Sequence, residues 1–588
     1  MKIIHFIKIR NFKIFGDEIV INLEHPSVLI GPNNSGKTSA LQAIALWAFG
    51  VKSWHESKGK SKATKNLTSG INRLNLLQLP VQNARYLWKN TDIRRGSNEL
   101  IPLEITAGIE FQEKVYNCKM TFTQQSSELI YCLPDSSFYE NRELLDYAAK
   151  INIDLLYSMS GVAIEEVLLP PGRINSLIGQ GQTSEVLRNL CYQIFQNDNS
   201  AWKELVSLLK RLFQVTLQSP KFIETRGVIE LKYKSANVKN DLDISLAGRG
   251  LQQFLLLFSY MFSHKNSVLL LDEPDAHLEI LRQRTIYFIL KEITKKNGNQ
   301  LIIATHSEVI LNEAADTNLE MLLDGEVIHL SERKEIKIAL RDFGVEHYYK
   351  AKQKKSILYT EGSTDIEILR EFAKISRNVS ASEILNGNFN YYYTQNIESD
   401  PSSENELDRI DGYYSPYHKK HFNSLKSIVP EFKGLAVFDS DGKNRQPEYK
   451  EDLTTFYWSR YEIENYFINP FTIKEYAKQN SSIHGTIFEI YFNKALAKAL
   501  LELVFDNDQQ ALDDFNNLTP SLQLNYWNKI TSQIKLSHFL ESVFQVYKEL
   551  SGQPIPINKG RFYELVKYHT QVDEEVKKVL ELIVKFIS

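Results

Sequence analysis

The octet Gly31-Pro-Asn-Asn-Ser-Gly36-Lys37-Thr38 decides how the first half of this chain is interpreted. It matches the phosphate-loop pattern G-x-x-x-x-G-K-[ST] in full. The apolar run Ser27–Ile30 precedes it as a buried strand would, and a helical pattern over residues 39–47 follows it. In such a loop the backbone amides wrap a polyphosphate, Lys37 reaches the outer phosphates and the Thr38 hydroxyl ligates magnesium. The octet therefore predicts a nucleotide site with Mg²⁺.

Three segments downstream argue against a chance match to a glycine-rich turn. In the first, four apolar residues from Val268 end in Asp272-Glu273-Pro274. A strand ending this way can place Asp272 beside magnesium and Glu273 beside the attacking water. In the second, His306 follows an apolar run, where it can bond a γ-phosphate. Acids that begin a helix, or a histidine beside a helix cap, are the structural alternatives.

The third segment, Ser245–Gly250, precedes the strand that ends at Asp272. Glycines that open a helix let backbone amides approach phosphate, although in isolation the segment is only a helix N-terminus. The predicted nucleotide-binding residues are Asn33, Asn34, Ser35, Gly36, Lys37, Thr38, Ser245, Gly248, Gly250 and Asp272, of which Thr38 and Asp272 are the predicted metal ligands.

Acidic residues follow three apolar segments in the second half of the chain. They are Glu361 and Asp365 after Ser356–Thr360, Asp439 and Asp441 after Gly434–Phe438, and Glu462 and Glu464 after Thr454–Trp458. If residues 439–441 are extended, both aspartates point the same way. Strand ends that supply acids can hold one or two divalent metals, and hard oxygen ligands favour Mg²⁺ or Mn²⁺. Surface acids in loops are the alternative for each segment.

Bulk properties restrict the class of protein. The 588 residues suggest two or three domains, and a formal net charge of -3 means that any nucleic-acid contact needs a basic surface that is local or assembled in an oligomer. The three cysteines form no C-x-x-C pair, which disfavours a disulfide framework or a zinc site and fits a reducing cytoplasm. The N-terminus lacks the apolar core of a signal peptide, and no apolar stretch is long enough to span a bilayer.

The order of patterns predicts an α/β protein. Apolar strands alternate with helices through the first half, which indicates a largely parallel sheet, and a second alternating unit begins near Ser356. Residues 51–70 are lysine-rich and suggest a loop, residues 140–215 carry mostly helical patterning, and residues 386–416 suggest an inserted loop. After about residue 470 the chain is expected to be mainly helical.

Residues 1–330 resemble the ATP-binding-cassette (ABC) ATPase head of RecF and the structural-maintenance-of-chromosomes (SMC) proteins. The resemblance implies a head with a mixed sheet, in which Lys37 and Thr38 belong to Walker A, Asp272 and Glu273 to Walker B, and His306 is the switch histidine. It also implies that a signature loop acts across a homodimer with ATP between the heads. That loop usually reads LSGGQ, whereas this chain has Leu-Ala-Gly-Arg-Gly, which leaves room for slow hydrolysis or a structural ATP clamp.

The glutamine loop of such heads has two candidates here, Gln78 and Gln82. No long heptad insertion is present in the sequence, so the chain is not expected to form the rod of a chromosome-maintenance protein.

The motif Glu361-Gly362…Asp365 followed by Asp439-x-Asp441 resembles the Toprim domain of topoisomerases, primases and nucleases. An N-terminal ABC ATPase with a C-terminal Toprim domain resembles the OLD (overcoming lysogenization defect) family of ATP-dependent nucleases. This implies an ATPase domain over 1–335 with a helical dimerisation insert at about 140–215. It also implies a Rossmann-like Toprim domain with added helices over 350–588.

The OLD resemblance implies an ATP-regulated endonuclease that cuts or nicks DNA. Its catalytic residues would be Glu273, His306, Glu361, Asp365, Asp439, Asp441, Glu462, Glu464 and a C-terminal lysine, Lys559, and the metal ligands of its second site would be Glu361, Asp365, Asp439, Asp441 and Glu464. Segments such as Tyr461–Tyr466 are similar to anti-phage effectors, which implies a defence partner such as a retron reverse transcriptase. The alternatives are a RecF-like DNA-binding protein whose Toprim domain is a docking scaffold, and a nuclease of RNA.

Overall fold

The computed structural model describes residues 2–587 except 59–66, 77, 80, 97–98, 159–160, 236–239, 315–316, 331–346, 395–417, 428, 558 and 570. The chain divides into two compact units, Met1–Val345 and Glu346–Ser588. The division falls in the interval between the two predicted domains.

Unit 1 is built mainly from two six-stranded sheets. Its strands are β1 (Ile4–Arg10), β2 (Ile19–Asn22), β3 (Ser27–Ile30), β4 (Ser69–Asn72), β5 (Arg94–Arg95), β6 (Glu99–Leu100), β7 (Leu103–Phe111), β8 (Lys114–Gln124), β9 (Leu129–Pro134), β10 (Ile153–Leu156), β11 (Val215–Leu217), β12 (Lys221–Ile223), β13 (Val228–Glu230), β14 (Lys232–Ser235), β15 (Leu242–Asp243), β16 (Val268–Asp272), β17 (Gln300–Thr305), β18 (Asn318–Leu323) and β19 (Glu326–His329). The first sheet, β2-β1-β7-β8-β9-β4, is antiparallel. The second, β10-β16-β17-β3-β18-β19, is parallel except for its edge strand β19.

The helices of unit 1 are α1 (Lys37–Lys58), α2 (Ser136–Glu140), α3 (Arg142–Ala148), α4 (Pro171–Gly179), α5 (Leu187–Asn197), α6 (Asn199–Phe213), α7 (Arg249–Ser263), α8 (Ile280–Asn297) and α9 (Glu308–Glu313). Helix α1 packs against strands of both large sheets. Its side chains from Leu41 to Trp47 are therefore buried without a break, which suits a helix that is apolar on all sides. This position fixes the first turn of α1 at the end of β3.

Unit 2 has a four-stranded parallel sheet of order β21-β20-β22-β23. The strands are β20 (Ser356–Thr360), β21 (Tyr391–Tyr393), β22 (Lys433–Phe438) and β23 (Leu453–Tyr457). The helices are α10 (Ser363–Ile375), α11 (Val379–Asn386), α12 (His418–Lys426), α13 (Pro470–Asn480), α14 (Gly485–Leu503), α15 (Gln509–Asn516), α16 (Pro520–Ile530), α17 (Leu536–Ser551) and α18 (Glu574–Ile587). Helix α18 packs on β20 and β22, so the C-terminal helices share the core of the sheet.

Several expectations about elements need correction. Residues 51–58, predicted as loop, continue α1, and the rest of that lysine-rich segment up to residue 66 lies outside the described residues. The segment 140–215 is mostly helical, as predicted, but it also contains strand β10, which joins the parallel sheet beside β16. Of the loop predicted over 386–416, Tyr391–Tyr393 forms β21, and residues 395–416 lie outside the described part.

Among the described residues, no helix combines the length and apolar character needed to cross a membrane.

Candidate functional site

The phosphate loop of unit 1 connects β3 to α1 and is tightly wound. Gly36 has a φ of 108°, and a Cβ there would lie 2.9 Å from the Phe15 ring. A Cβ on Gly31 would lie 2.3 Å from the carbonyl oxygen of Leu322. Only glycine fits both positions, so the backbone conformation requires the motif. Ser35 Oγ is buried in this loop and makes no hydrogen bond within the described structure. Buried polar groups normally have partners, so a bound ligand would satisfy this hydroxyl.

Lys37 is held inside the loop. Its side chain is 6% exposed, and its Nζ donates to the carbonyl oxygens of Gly31 at 2.7 Å and Pro32 at 2.8 Å. Burial lowers the pKa of Lys37, while the charges of Glu273 and Asp272 act in the opposite direction. A buried ammonium between carbonyl groups gains strongly from a phosphate oxygen, so this residue fits its predicted role.

Thr38 and Asp272 meet at the predicted magnesium position. Thr38 Oγ1 donates to Asp272 Oδ2 at 2.8 Å. The other carboxylate oxygen, Oδ1, is buried and without a partner in the described structure. Burial raises the pKa of Asp272 to about 6. A hydroxyl and a desolvated carboxylate are the protein ligands that P-loop ATPases supply to Mg²⁺, so the residues fit this ion.

Glu273 and His306 form a pair at the ends of adjacent strands. His306 Nδ1 lies 3.0 Å from Glu273 Oε1, and both side chains reach solvent. Asp275, which the sequence reasoning missed, is buried and accepts from Thr305 Oγ1 at 2.7 Å. It fixes the residue before His306. Its only sequence signal was an acid just past a strand, which is common without such a role.

A chain of hydrogen bonds from α1 reaches the backbone of Gln78, one of the two candidates for the glutamine loop. Lys13 donates to Gln42, Gln42 donates to the Tyr157 hydroxyl at 2.8 Å, and that hydroxyl donates to the Gln78 carbonyl oxygen at 2.8 Å. The Asp272 charge adds to the burial that raises the pKa of Tyr157 to about 12, so the chain of bonds lies near the magnesium position. Gln82 is exposed and has no place in these bonds.

Burial lowers the pKa of Lys13 to about 8. No local sequence pattern selects Lys13, Gln42 or Tyr157, because their partners are remote in the chain.

The segment that resembles the signature loop is anchored by an ion pair whose arginine is buried. Ser245 lies in a short 3₁₀ turn, and Gly248 caps α7, with Gly250 in its first turn. Asp243 accepts from the Ser245 amide at 2.9 Å and from Arg188 Nη2 at 2.7 Å. The Arg188 side chain is 1% exposed. Sequence reasoning missed both residues, since the arginine lies 55 positions away from the aspartate.

Unit 2 brings three of its predicted acids into one cluster. Asp439, Glu462 and Glu464 each offer a carboxylate oxygen, and these oxygens all lie within 4.8 Å of one another. The cluster lies where β22 and β23 end, at the shared carboxyl edge of a parallel sheet. Burial raises the pKa of Asp439 and of Glu464 well above the usual range, and neighbouring carboxylates raise it further. A divalent cation would offset this repulsion, so the donor set fits Mg²⁺ or Mn²⁺.

Glu361 and Asp365 flank this cluster. Glu361 Oε1 accepts from the Asp439 amide at 3.0 Å. Asp365 Oδ2 accepts from the Glu361 and Gly362 amides at 3.0 and 3.1 Å, which caps α10. Burial raises the pKa of Glu361 to about 7 and that of Asp365 to about 6. Asp365 therefore holds the backbone that presents Glu361, in addition to any part in metal binding.

The extended geometry predicted for residues 439–441 is wrong. Strand β22 ends at Phe438, and Asp441 has a left-handed φ of 52° in an exposed turn. Asp441 is absent from the cluster of three, although its charge contributes to the raised pKa of Glu361. Its place is taken by Glu462, which accepts from the Ser537 amide at 2.6 Å and hydroxyl at 3.0 Å in the first turn of α17.

The predicted lysine cannot be placed. Lys559 begins a 3₁₀ helix, Lys559–Tyr568, but its side chain lies outside the described residues. Arg561, a basic residue two positions along the same 3₁₀ helix, forms an ion pair with Glu564 at 2.7 Å.

Family models match two segments of unit 1. The model described as AAA ATPase domain matches residues 1–79. The model described as AAA domain, putative AbiEii toxin, Type IV TA system, matches residues 192–312. An ATP/GTP phosphatase of Helicobacter pylori (strain ATCC 700392 / 26695) is 23% identical over 336 residues, which cover 52% of this chain and 85% of that protein.

Solved structures similar to the chain include three ATPase heads. An SMC head bound to the C-winged helix domain of ScpA has 17% identity and a TM-score of 0.36, covering 57% of this chain and 99% of that chain. The SMC head domain from Thermotoga maritima has 15% identity and a TM-score of 0.33, covering 56% and 99%. RecF with ATP, from the RecFOR pathway, has 14% identity and a TM-score of 0.30, covering 55% and 98%. Scores of this size do not establish a shared fold.

The family models and the phosphate-loop geometry together support an ATP-binding ATPase domain in unit 1.

Proposed function

We propose that the chain is an ATP-regulated, divalent-metal-dependent nuclease of the OLD type, with the ATPase site in unit 1 and the nuclease site in unit 2. The observation that carries the nuclease is the cluster of Asp439, Glu462 and Glu464 at the carboxyl edge of a parallel sheet. Surface acids in loops would have ordinary pKa values. Burial and the charges of neighbouring carboxylates instead raise the pKa values of Asp439 and Glu464. Such an arrangement is costly to folding unless a cation binds it.

The chemistry proposed for unit 2 is hydrolysis of a phosphodiester. A bound metal ion would stabilise the negative charge that develops during hydrolysis and would lower the pKa of a water bound to it. The chain's residues hold that site: the Asp439 amide orients Glu361, the Ile463 amide donates to Asp439 at 2.9 Å, and Ser537 fixes Glu462. These contacts fix the carboxylates before substrate arrives, which reduces the cost of reorganisation.

Regulation by ATP is proposed from the resemblance to ABC heads. Ser245, Gly248 and Gly250 would complete the ATP site of a second copy of the chain, so that ATP favours a homodimer. A ligand that binds one arrangement better shifts the population toward it, and the nuclease would respond to that shift. The switch pair of Glu273 and His306 would report the state of the γ-phosphate.

The proposed setting is defence against phage, with DNA as the substrate and a retron reverse transcriptase as a possible partner. Support comes from the OLD resemblance and from the toxin-related description of the family model that matches residues 192–312. Induced expression should slow bacterial growth, and Asp439→Asn should relieve this effect. Equal growth inhibition by the variant would contradict the setting.

The decisive experiment is cleavage of supercoiled plasmid with Mg²⁺ or Mn²⁺, with and without ATP. Wild type is compared with Asp439→Asn/Glu464→Gln and with a control, Asp514→Asn, which changes an exposed carboxylate on α15. Cleavage by wild type and the control, but not by the double variant, is the expected result. Equal cleavage by all three proteins would assign the activity to a contaminant and overturn the proposal. An RNA substrate in parallel tests the RNA alternative.

Calorimetric titration with Mn²⁺ separates the nuclease from a docking scaffold. The measurement uses a Thr38→Val background, which removes one ligand of the metal site in unit 1. A nuclease site predicts residual Mn²⁺ binding that Asp439→Asn abolishes. A scaffold predicts the same titration for both proteins.

A further inference from the structure

The carboxylate cluster of unit 2, Asp439 with Glu462 and Glu464, takes two of its acids from one short loop. This loop comprises residues 459–466, which follow β23 and which we call the acid loop. A metal site needs its ligand oxygens held within about 0.5 Å of the binding geometry. The contacts that close the acid loop therefore decide how well its two acids bind a metal ion.

A single carboxylate on the C-terminal helix holds both ends of the acid loop. Glu575, in the first turn of α18, accepts from the Ser459 amide at 2.9 Å and from the Ser459 hydroxyl. It also accepts from the Tyr466 hydroxyl. Burial and the charge of Glu575 raise the pKa of Tyr466, so this phenol keeps its proton and is the donor. The first and last residues of the loop are thus held at one point.

An arginine closes the loop a second time beside this carboxylate. Arg460 Nη1 donates to the carbonyl oxygen of Asn465 at 2.9 Å, and its guanidinium lies 4.3 Å from the centre of the Tyr466 ring. Its Nη2 forms an ion pair with Asp573 at 2.6 Å. Asp573 lies just before α18 and accepts from the Glu575 amide at 2.9 Å. The start of α18 therefore holds the acid loop through two carboxylates.

The closed loop is bonded directly to the rest of the carboxylate cluster. The side chain of Asn465 accepts from the Glu462 amide at 3.3 Å. The Ile463 amide, which lies between the two acids of the loop, donates to Asp439 at 2.9 Å. A displacement of the acid loop would therefore move Glu462 and Glu464 relative to Asp439.

We propose that Glu575 is a positioning residue for the metal site of unit 2: by closing the acid loop it sets the spacing of Glu462 and Glu464, and thereby the affinity for a divalent cation. Residues that orient metal ligands through hydrogen bonds typically contribute roughly 10- to 100-fold to metal affinity. The C-terminal helix then contributes to the metal site through the acid loop. The inference rests on the proposed nuclease function, because that function gives the cluster its metal ion.

Calorimetric titration with Mn²⁺ in the Thr38→Val background measures this effect. Glu575→Ala removes the carboxylate, and Glu574→Ala is its matched control, because Glu574 is 87% exposed and pairs with Lys577. We expect Glu575→Ala to weaken Mn²⁺ binding about tenfold or more, and Glu574→Ala to change it less than about twofold. Glu575→Gln keeps an acceptor oxygen at the same position and should recover part of the loss.

A second pair of variants separates positioning from a general loss of stability. Tyr466→Phe removes the hydroxyl that donates to Glu575. Tyr476→Phe removes a hydroxyl that donates to the Pro556 carbonyl oxygen at 3.0 Å, outside the acid loop. Both tyrosines are buried, so each variant loses a hydrogen bond in the interior of unit 2. Only Tyr466→Phe should weaken Mn²⁺ binding.

The outcomes separate the positioning role from the nuclease. Equal Mn²⁺ affinities of Glu575→Ala and Glu574→Ala overturn the positioning role and leave the proposed nuclease unaffected. A loss of affinity in Tyr476→Phe as large as in Tyr466→Phe also overturns it. Weaker Mn²⁺ binding by Glu575→Ala, when wild type does not cleave plasmid, supports the positioning role and overturns the nuclease. If the Thr38→Val parent binds no Mn²⁺, the metal site and the positioning role are overturned together.

Discussion

At the scale of single residues, Lys37 provides the sharpest test of unit 1. Its buried ammonium is held by two carbonyl oxygens of the phosphate loop and awaits phosphate oxygens. We expect Lys37→Ala to weaken ATP binding about 100-fold or more, since a charge-assisted hydrogen bond and a buried cation are lost together. Binding of a fluorescent ATP analogue measures this. Lys52→Ala, at an exposed position of the same helix, should leave affinity unchanged.

The carboxylates of unit 2 predict an unusual dependence of stability on pH. Burial raises the pKa of Glu361 to about 7 and that of Asp365 to about 6, above their unfolded values. The folded protein therefore binds more protons than the unfolded chain between about pH 4 and pH 7, and metal-free stability falls as pH rises through this window. We expect a lower melting temperature at pH 8 than at pH 6 in EDTA.

Metal should reverse this trend. Mn²⁺ should raise the melting temperature more at pH 8, where the carboxylates are ionised, than at pH 6. Glu464→Gln should raise the metal-free melting temperature by about 2–4 °C, the shift that about 1 kcal/mol gives in a domain of this size. It should also abolish most of the Mn²⁺ effect. Scanning calorimetry checks both, and a metal-free protein whose stability rises from pH 6 to pH 8 would contradict the argument.

The sequence identifies candidate site residues most readily where they lie in one short motif. Lys37 and Thr38 were recognisable because the phosphate loop builds its site from eight consecutive residues. Asp275 and Ser537 were not, because each acts through a partner 30 or 75 positions away. The position of the Asp441 side chain was predicted wrongly for a related reason. Strand β22 stops at Phe438, and no local pattern marked the left-handed turn that follows.

At the scale of elements, the ion pair of buried Arg188 with the partly exposed Asp243 should hold the start of α7 in place. Arg188→Ala leaves Asp243 without its guanidinium partner at the signature segment. We expect a loss of about 1.5–3 kcal/mol of stability, typical of losing hydrogen bonds to a charged group. Arg226→Ala breaks the pair with Glu165, in which both side chains are 58% exposed, and should cost less than about 1 kcal/mol. Denaturant titration of both variants gives the comparison, and equal losses would contradict it.

Strands with strong apolar patterns were predicted close to their observed bounds. The strand predicted over Ser27–Ile30 has these bounds in the structure, and the strand predicted from Val268 extends to Asp272. Strand β10 was missed because four residues between helical patterns carry too little periodicity. Residues 51–58 were assigned to a loop from their lysines, although Trp54 buries its ring and keeps α1 helical. Tertiary packing decided both cases.

At the scale of the whole molecule, the two sites predict that ATP controls cleavage. Glu273→Gln should bind ATP but hydrolyse it slowly, because the group proposed to activate water is lost while Asp272 and Thr38 remain. If ATP favours a homodimer, this variant should form a lasting dimer with ATP, whereas Lys37→Ala should not. Light scattering with and without ATP measures the mass of each protein.

The same two variants then fix the direction of regulation. Glu273→Gln is expected to stay bound to ATP, whereas Lys37→Ala is expected to stay free of it. One variant should therefore cleave plasmid faster, and the other more slowly, than wild type with ATP. Neither change touches the carboxylate cluster, so a difference must pass through the state of the ATPase. Identical cleavage by both variants would show that the nuclease works independently of ATP, even if each site by itself behaves as proposed.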